Sequence, residues 1–520
     1  MVPNPYLAPL IGALPRVLGL FDADRTSTSY GMGDRYRWAW GLIDFGNATF
    51  QGAAHGLARL WRCGQWPHAT PREVFLARID AMFAATASLT RANGSLEEAF
   101  PHEGSYCVTA LVAFDLLCAL ELLEPELSDL QGARWQGTVA ALIGYLKAAD
   151  ETHALISNHL ATAAAALVRW HARTGDSGSE QKARKLVERI LAHQSPEGWF
   201  TEYDGADPGY QSLCTVYLAD LHARRPDWSL AEPLARSVGF LWYFAHPDGS
   251  FGGLYGSRCT RFYYPAGIEA LAAAVPEAAS LAAFMARSIE AASVVTLASM
   301  DEPNLVPMFN AYCRAAQLWA ERTSVADGPV VPALRGASAR MHFAGAGLWV
   351  DSGPRHYTVV SSHKGGVVAH FVDQRAAVID AGVVVREPRG RLGSSQSIDP
   401  RNPCRLDGDV LTIDASIRPM PRRLPTPAQF LLLRLMCVTV LRVVAWREWV
   451  KRRLVRMLVS RQSAGPARNR RRVHLGVNLK IADEPHLPHG HERVASPGAF
   501  VSVHMASQGY WQLQDEDPPR

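Results

Sequence analysis

Pro196-Glu197-Gly198-Trp199-Phe200 and Pro247-Asp248-Gly249-Ser250-Phe251 are one turn written twice, 51 residues apart. Each joins Pro and Gly, which interrupt regular structure, to an aromatic ring that anchors the turn. A related turn, Pro101-His102-Glu103-Gly104-Ser105-Tyr106, stands 95 residues before the first, close to two such units. Around these turns run Ala- and Leu-rich segments, 75–89, 110–123, 135–149, 158–174, 181–193, 212–223 and 267–274, whose apolar residues recur at helical spacing. A repeat near 50 residues predicts stacked helical hairpins over 52–323. Hairpins of that length build either an open superhelix or a closed α/α toroid, and periodicity does not choose between them.

From about residue 324 the pattern changes to short alternating runs separated by Gly, Pro and Asp: 339–343, 347–350, 357–361, 366–372, 376–379 and 410–417. These read as strands of an antiparallel β-sandwich over 324–520. One stretch breaks the alternation. Thr426-Pro427-Ala428-Gln429 supplies an N-cap, a Pro at the first helical position and a capping-box Gln, so a helix is predicted over about 427–463. Its first half is apolar, and its second half carries Arg447, Lys451, Arg452, Arg453, Arg456 and Arg461. The apolar run is too short and too charged to span a bilayer. Residues 430–461 therefore suit peripheral contact with anionic lipid headgroups, or a helix packed on the sandwich with a solvated basic face. Arg468 to Arg472 extends the basic stretch.

A chain of 520 residues, 48% hydrophobic, is long enough for two well-packed domains. Residues 1–51 form a separate N-terminal segment to which the sequence assigns no role beyond capping the helical domain. The net charge of +4 does not point to nucleic acid. The eight cysteines are scattered without metal-ligand spacing, so free thiols in a reducing compartment are expected, with no metal or cofactor. Met1-Val2-Pro3-Asn4-Pro5 lacks a basic stretch followed by an unbroken apolar one, so no cleavable signal is read. The expected location is cytoplasmic, at the inner face of the membrane.

Four groups of residues carry chemistry. Asn158 and His159, in Leu155-Ile156-Ser157-Asn158-His159-Leu160, place two polar side chains at the head of an Ala-rich helix, where burial costs free energy unless both find partners. Glu202-Tyr203-Asp204-Gly205-Ala206-Asp207-Pro208-Gly209-Tyr210 is a turn that opens a helix. Tyr255-Gly256-Ser257-Arg258-Cys259-Thr260-Arg261 interleaves rings with guanidinium groups, which suits either a sugar-binding subsite or a loop pinned to the following domain. Ser361-Ser362-His363-Lys364-Gly365-Gly366 is a turn between strands.

In order and spacing, residues 100–400 resemble the heparinase II/III-like polysaccharide lyases, which cleave uronate-containing chains by β-elimination. The resemblance implies a multidomain α plus β protein: an incomplete α/α toroid, then an antiparallel β-sandwich, here with an inserted basic amphipathic helix. It implies an anionic polysaccharide substrate, consistent with surface-polysaccharide metabolism. It also implies roles. Asn158 and His159 match the family's Asn-His pair, which neutralises the uronate carboxylate, and Tyr210 stands closest to the family's Tyr base and acid, with Tyr203 its rival. His363 matches the one well-fitting position of the family's His-containing turn; Lys364 and Gly365 depart from it. Tyr203, Tyr255, Arg258, Arg261 and Lys364 become candidates for substrate binding. Two other readings stay open: a toroid glycoside hydrolase using paired carboxylates among Glu103, Glu202, Asp204 and Asp207, and a non-catalytic protein that binds an anionic polysaccharide at the membrane.

Overall fold

The structure, a computed structural model, describes residues 3–152, 154–322, 328–420, 426–458, 464–494 and 499–502. Six helices stand side by side in chain order as an inner ring: Ala53–Arg62, Tyr106–Leu123, Ser157–Thr174, Pro208–Arg224, Pro265–Leu271 and Glu302–Glu321. The last packs against the first, so the ring closes, and this contact decides for an α/α toroid over a superhelix. Helices Arg72–Leu89, Asp129–Ala148, Ser177–Ala192, Ala231–Leu241 and Pro276–Glu290 alternate with the inner ones along the chain. The difference in layer is written in the sequence. Tyr106–Leu123 is buried nearly all round, whereas Asp129–Ala148 buries a single stripe, Trp135, Val139, Leu142, Ile143 and Leu146.

The N-terminal segment belongs to the toroid wall. Helix Leu7–Leu18 packs on Glu302–Glu321, the Tyr6 hydroxyl donates to Glu269, and Arg16 Nη2 donates to the Met300 carbonyl at 2.9 Å.

The inner helices run in one direction. Their N-terminal ends carry Cys107, Asn158 and Tyr210; their C-terminal ends carry Arg59, Glu121, Arg169, Asp220 and Arg314. At the C-terminal end a cavity of about 50 Å³ is lined by Arg59, Arg169 and Arg314 together with His55, Asp115 and Asp220. Cations there oppose the negative ends of six helix dipoles, and Arg169 pairs with Glu121 and Asp220. The opposite end, where helix N-termini converge, is the end suited to anions.

Among the described residues the β region has three antiparallel sheets. A five-stranded meander runs Ala339–Phe343, Leu348–Ser352, His356–Ser361, Val367–Val372, Arg375–Asp380. Its central strands are buried on both faces. Tyr357, Val359, Val367, Ala369 and Phe371 meet Phe240, Phe244, Leu254 and Tyr255 of the toroid, while Val360 and Val368 meet Leu411, Ile413 and Val473 of the outer sheet. Period-two alternation thus makes this sheet the middle layer between toroid and outer sheet. The outer sheet is ordered Lys480–His486, Arg468–His474, Val410–Ser416, Cys404–Asp407.

Two expectations change. The insertion between Arg418–Pro419 and Arg468–His474 is not one helix but two, Pro427–Val438 and Val444–Leu458; residues 459–463 lie outside the described residues. The capping box at Thr426 and Gln429 forms as read. The break falls at Thr439, in a run of β-branched residues, where the Thr439 hydroxyl bonds back to the Leu435 carbonyl at 2.6 Å. Arg468 to Arg472, expected to extend the basic surface, is instead a sheet strand in which three of the four Arg are paired with acids on neighbouring strands. Arg470 pairs with Asp414, Arg472 with Glu484, and buried Arg471 with Asp380 and Asp483.

Candidate active site at the N-terminal end of the toroid

Two short segments are stitched together at the mouth of the inner ring. The Ser157 N–H donates to the Thr201 carbonyl at 3.1 Å and the Tyr203 N–H to the Leu155 carbonyl at 3.1 Å, pairing Ile156 with Glu202. This pairing puts the head of Ser157–Thr174 beside the Glu202 turn. Asn158, 3% exposed, donates from Nδ2 to Glu202 Oε2 at 2.8 Å. His159 Nδ1 lies 2.7 Å from Glu151 Oε2. With the proton on Nδ1, held by Glu151, the tautomer and ring orientation are set by that carboxylate.

Asp207 organises the next turn. Fully buried, it caps Pro208–Arg224 by accepting from the Tyr210 N–H at 3.1 Å, and it accepts from the Arg258 N–H at 2.9 Å and from the Thr260 hydroxyl. One carboxylate therefore places both Tyr210 and the Arg258 loop. The Arg258 guanidinium lies over the Tyr203 ring, 4.6 Å from its centre, and its charge also couples to Tyr210 and Glu202. Tyr203 holds a left-handed φ of 58°, a conformation that a bulky residue adopts only where its surroundings impose it. The Tyr210 ring packs edge-on against Phe262 at 5.4 Å.

Carboxylates crowd this end. The Cys107 thiol, raised well above its ordinary value by burial and then by Glu98, Glu151, Glu202 and Glu103, marks the point these four share. Burial pushes Glu202 up to about 8, with Asp207 adding to the rise, and burial with Glu103 pushes Glu98 up to about 7. Both hold protons well above the ordinary carboxyl range. Lys451 of the insertion stands 4.0 Å from Glu103.

The high Glu202 value has a thermodynamic consequence. A carboxyl of ordinary value 4.5 in the unfolded chain and about 8 in the folded one contributes stability that is complete below pH 4.5 and is lost as pH rises through 8. Glu202→Gln keeps an acceptor for Asn158 and removes the ionisation. Its thermal midpoint should match wild type at pH 5 and exceed it at pH 9; equal midpoints at both pH values would show that Glu202 ionises freely in the fold.

The other expected residues sit elsewhere. Lys364, 1% exposed, donates to the Leu254 and Gly256 carbonyls at 2.7 and 2.8 Å and to Cys259 Sγ at 2.8 Å. Its ammonium ties the sandwich to the Arg258 loop and has no donor left for a sugar. Tyr255, 2% exposed, bonds His246 Nε2 at 2.8 Å and packs with Phe244 in the domain interface, so it too departs from the expected substrate-binding role. Arg261 lines a separate cavity of about 460 Å³ between the toroid turn and the five-stranded sheet, together with His246, Asp248 and Arg375. His363 lies over Gly347, where a Cβ would come within 2.2 Å of its ring. Burial lowers its value, and the charges acting on it are Asp399, Glu197 and His342, a different set from those around Asn158. The structure thus gathers Asn158, His159, Tyr203, Tyr210 and Arg258, and leaves His363, Lys364, Tyr255 and Arg261 outside that group. Glu98 and Glu151 were missed by sequence reading. Glu151 carries only one local signal, an acid in the loop just ahead of the Asn-His helix.

No family model matches the chain, and no curated protein matches it. Solved structures do. Chondroitin AC lyase of Streptomyces coelicolor A3, in complex with chondroitin sulphate, is 10% identical with a TM-score of 0.53, covering 93% of this chain and 66% of that one. A xanthan lyase of Paenibacillus is 13% identical over 80% of this chain and 45% of that one, with a TM-score of 0.46. Heparinase III is 10% identical over 91% and 79%, with a TM-score of 0.44. The chain therefore spans about half to two thirds of the length of the first two. At such identities it is the fold that is shared, a toroid followed by a β-sandwich, and at that level the resemblance to polysaccharide lyases read from the sequence is met.

Proposed function

We propose that the protein is a polysaccharide lyase that cleaves a uronate-containing chain by β-elimination at the N-terminal end of the toroid. One observation carries the reading: Asn158 and His159 stand together at the head of Ser157–Thr174, and the next turn holds two phenols beside one guanidinium. Elimination needs the uronate carboxylate neutralised, the proton on the adjacent carbon removed and the leaving oxygen protonated. The Asn158 amide and the carboxyl of Glu202 that still holds its proton at neutral pH supply hydrogen bonds to that carboxylate as charge moves onto it, and the His159 ring, its Nδ1–H held by Glu151, joins them from Nε2 in its doubly protonated form. Tyr210 takes the proton and returns one to the leaving oxygen. A phenol with a reference pKa near 10 needs a neighbouring cation for this, and Arg258 is that cation.

A second reading has a specific observation in its favour. Glu98 and Glu202, raised to about 7 and about 8, hold protons as the general acid of a glycoside hydrolase does. Ultraviolet absorbance with a panel of uronate polysaccharides separates the two, because elimination leaves a conjugated double bond and hydrolysis does not. Rising absorbance supports the lyase reading. New reducing ends without absorbance would assign hydrolysis, and binding without either would assign a non-catalytic role.

A further inference from the structure

Among the described residues, exposed large apolar side chains concentrate on the two helices of the insertion and the turn between them. Leu431 is 73% exposed, and Phe430, Leu432, Leu435, Trp446 and Trp449 are each more than half exposed. The surface continues onto a second, distant segment of the chain. Arg434 pairs with Asp44 and lies over the Phe45 ring at 5.6 Å, which brings the first insertion helix against the loop bearing Tyr36, Trp40 and Leu42, three more exposed apolar side chains. Large apolar side chains each about half exposed leave on the order of 1,000 Å² uncovered, against the few hundred Å² usual for the largest patch of a soluble monomer.

Charge identifies the occupant. Residues 426–458 contain seven Arg and Lys and a single acidic residue, Glu448. Arg442 and Arg453 are exposed next to the apolar side chains. A second copy of the chain, docking through the same patch about a two-fold axis, would set these cations against themselves. An anionic bilayer surface meets both properties at once: headgroups take the cations, and the apolar rings and Leu side chains enter the boundary beneath. Trp446 and Trp449, edge-on at 6.0 Å, have the amphipathic rings that settle at that depth.

We propose that the insertion helices and the Tyr36–Leu42 loop form one docking surface for anionic phospholipid bilayers. The surface is fixed relative to the cleft. Arg447 Nη1 donates to the His102 carbonyl at 3.1 Å, and Glu448 accepts from the Thr152 hydroxyl at 3.0 Å, so the second insertion helix lies across the rim next to Glu151 and His159. Docking there sets the cleft beside the bilayer, within reach of polymer held near it.

The test is flotation of the full chain with vesicles of phosphatidylcholine, alone or mixed with phosphatidylglycerol. Partitioning onto the phosphatidylglycerol vesicles should be at least about tenfold stronger and should fall in molar salt. The double variant Leu431→Glu, Trp446→Glu should lose at least about tenfold of it while unfolding at the wild-type temperature, because both side chains are exposed. Absence of wild-type partitioning would overturn the proposal. So would a double variant that floats as well as wild type, or a concentration-dependent dimer in vesicle-free solution that the same substitutions dissolve.

Discussion

Asn158→Ala lowers the rate of elimination by roughly 10²–10³-fold, the cost of removing one preorganised donor aimed at developing charge. The amide is held before substrate arrives: it is buried, and Nδ2 is oriented by Glu202 at 2.8 Å. Preorganisation of this kind is where the rate effect originates, since no side chain has to turn as charge shifts onto the uronate. The substitution also removes a hydrogen bond from Glu202, at about 1–3 kcal/mol of stability, so activity is to be compared well below the unfolding transition. Tyr210→Phe provides the companion result. The ring keeps its edge contact with Phe262 and the backbone keeps its cap from Asp207, so the packing and the helix start are retained while the proton carrier is gone. Absorbance with substrate should fall by at least about 10²-fold. A Tyr210→Phe variant with the wild-type rate would move the proton transfer to another group, and Tyr203 under Arg258 is the first to examine.

Asp207→Ala should be the most destabilising single change at the site, about 3–5 kcal/mol by urea unfolding. Loss of the helix cap accounts for about 1 kcal/mol, and the buried donors left without an acceptor account for most of the rest. Those donors are the N–H groups of Tyr210 and Arg258 and the hydroxyl of Thr260. Activity should fall further than stability alone explains, because the phenol and the guanidinium both lose their common support. A shift below about 1 kcal/mol would mean that the Arg258 loop is held by its other ties, chiefly Lys364.

That reassignment of Lys364 shows how far a motif reaches. The turn Ser361–Gly366 was legible as a turn, and its Lys stands where the resemblance expects a group facing the cleft. Its ammonium instead meets two carbonyls and a sulfur from residues more than a hundred positions earlier in the chain. Nothing local distinguishes an ammonium that faces substrate from one that fastens two domains. The Arg468–His474 strand teaches the same lesson about charge. Read along the chain it is a basic run; across the sheet it lies between Asp414 on one side and Asp483 and Glu484 on the other, and Arg470, Arg471 and Arg472 are matched.

Local chemistry in the chain was sufficient for seven helices of the toroid, the five-stranded meander and Val410–Ser416, the capping box at Thr426 and the polar pair Asn158 and His159, while Ala53–Arg62, Ala231–Leu241, Pro276–Glu290, Glu302–Glu321 and the remaining strands carried no such mark. Side-chain periodicity and turn residues act over a few positions, and that is the range over which a sequence can be read directly. Closure of the ring by Ala53–Arg62 against Glu302–Glu321, the bracing of His159 by Glu151, the Asp207 network and the apolar surface shared by residues 36–42 with the insertion all depended on the assembled fold. Each is a meeting of groups brought together by packing, where burial and neighbouring charge set which protons are held and which side chains stay bare.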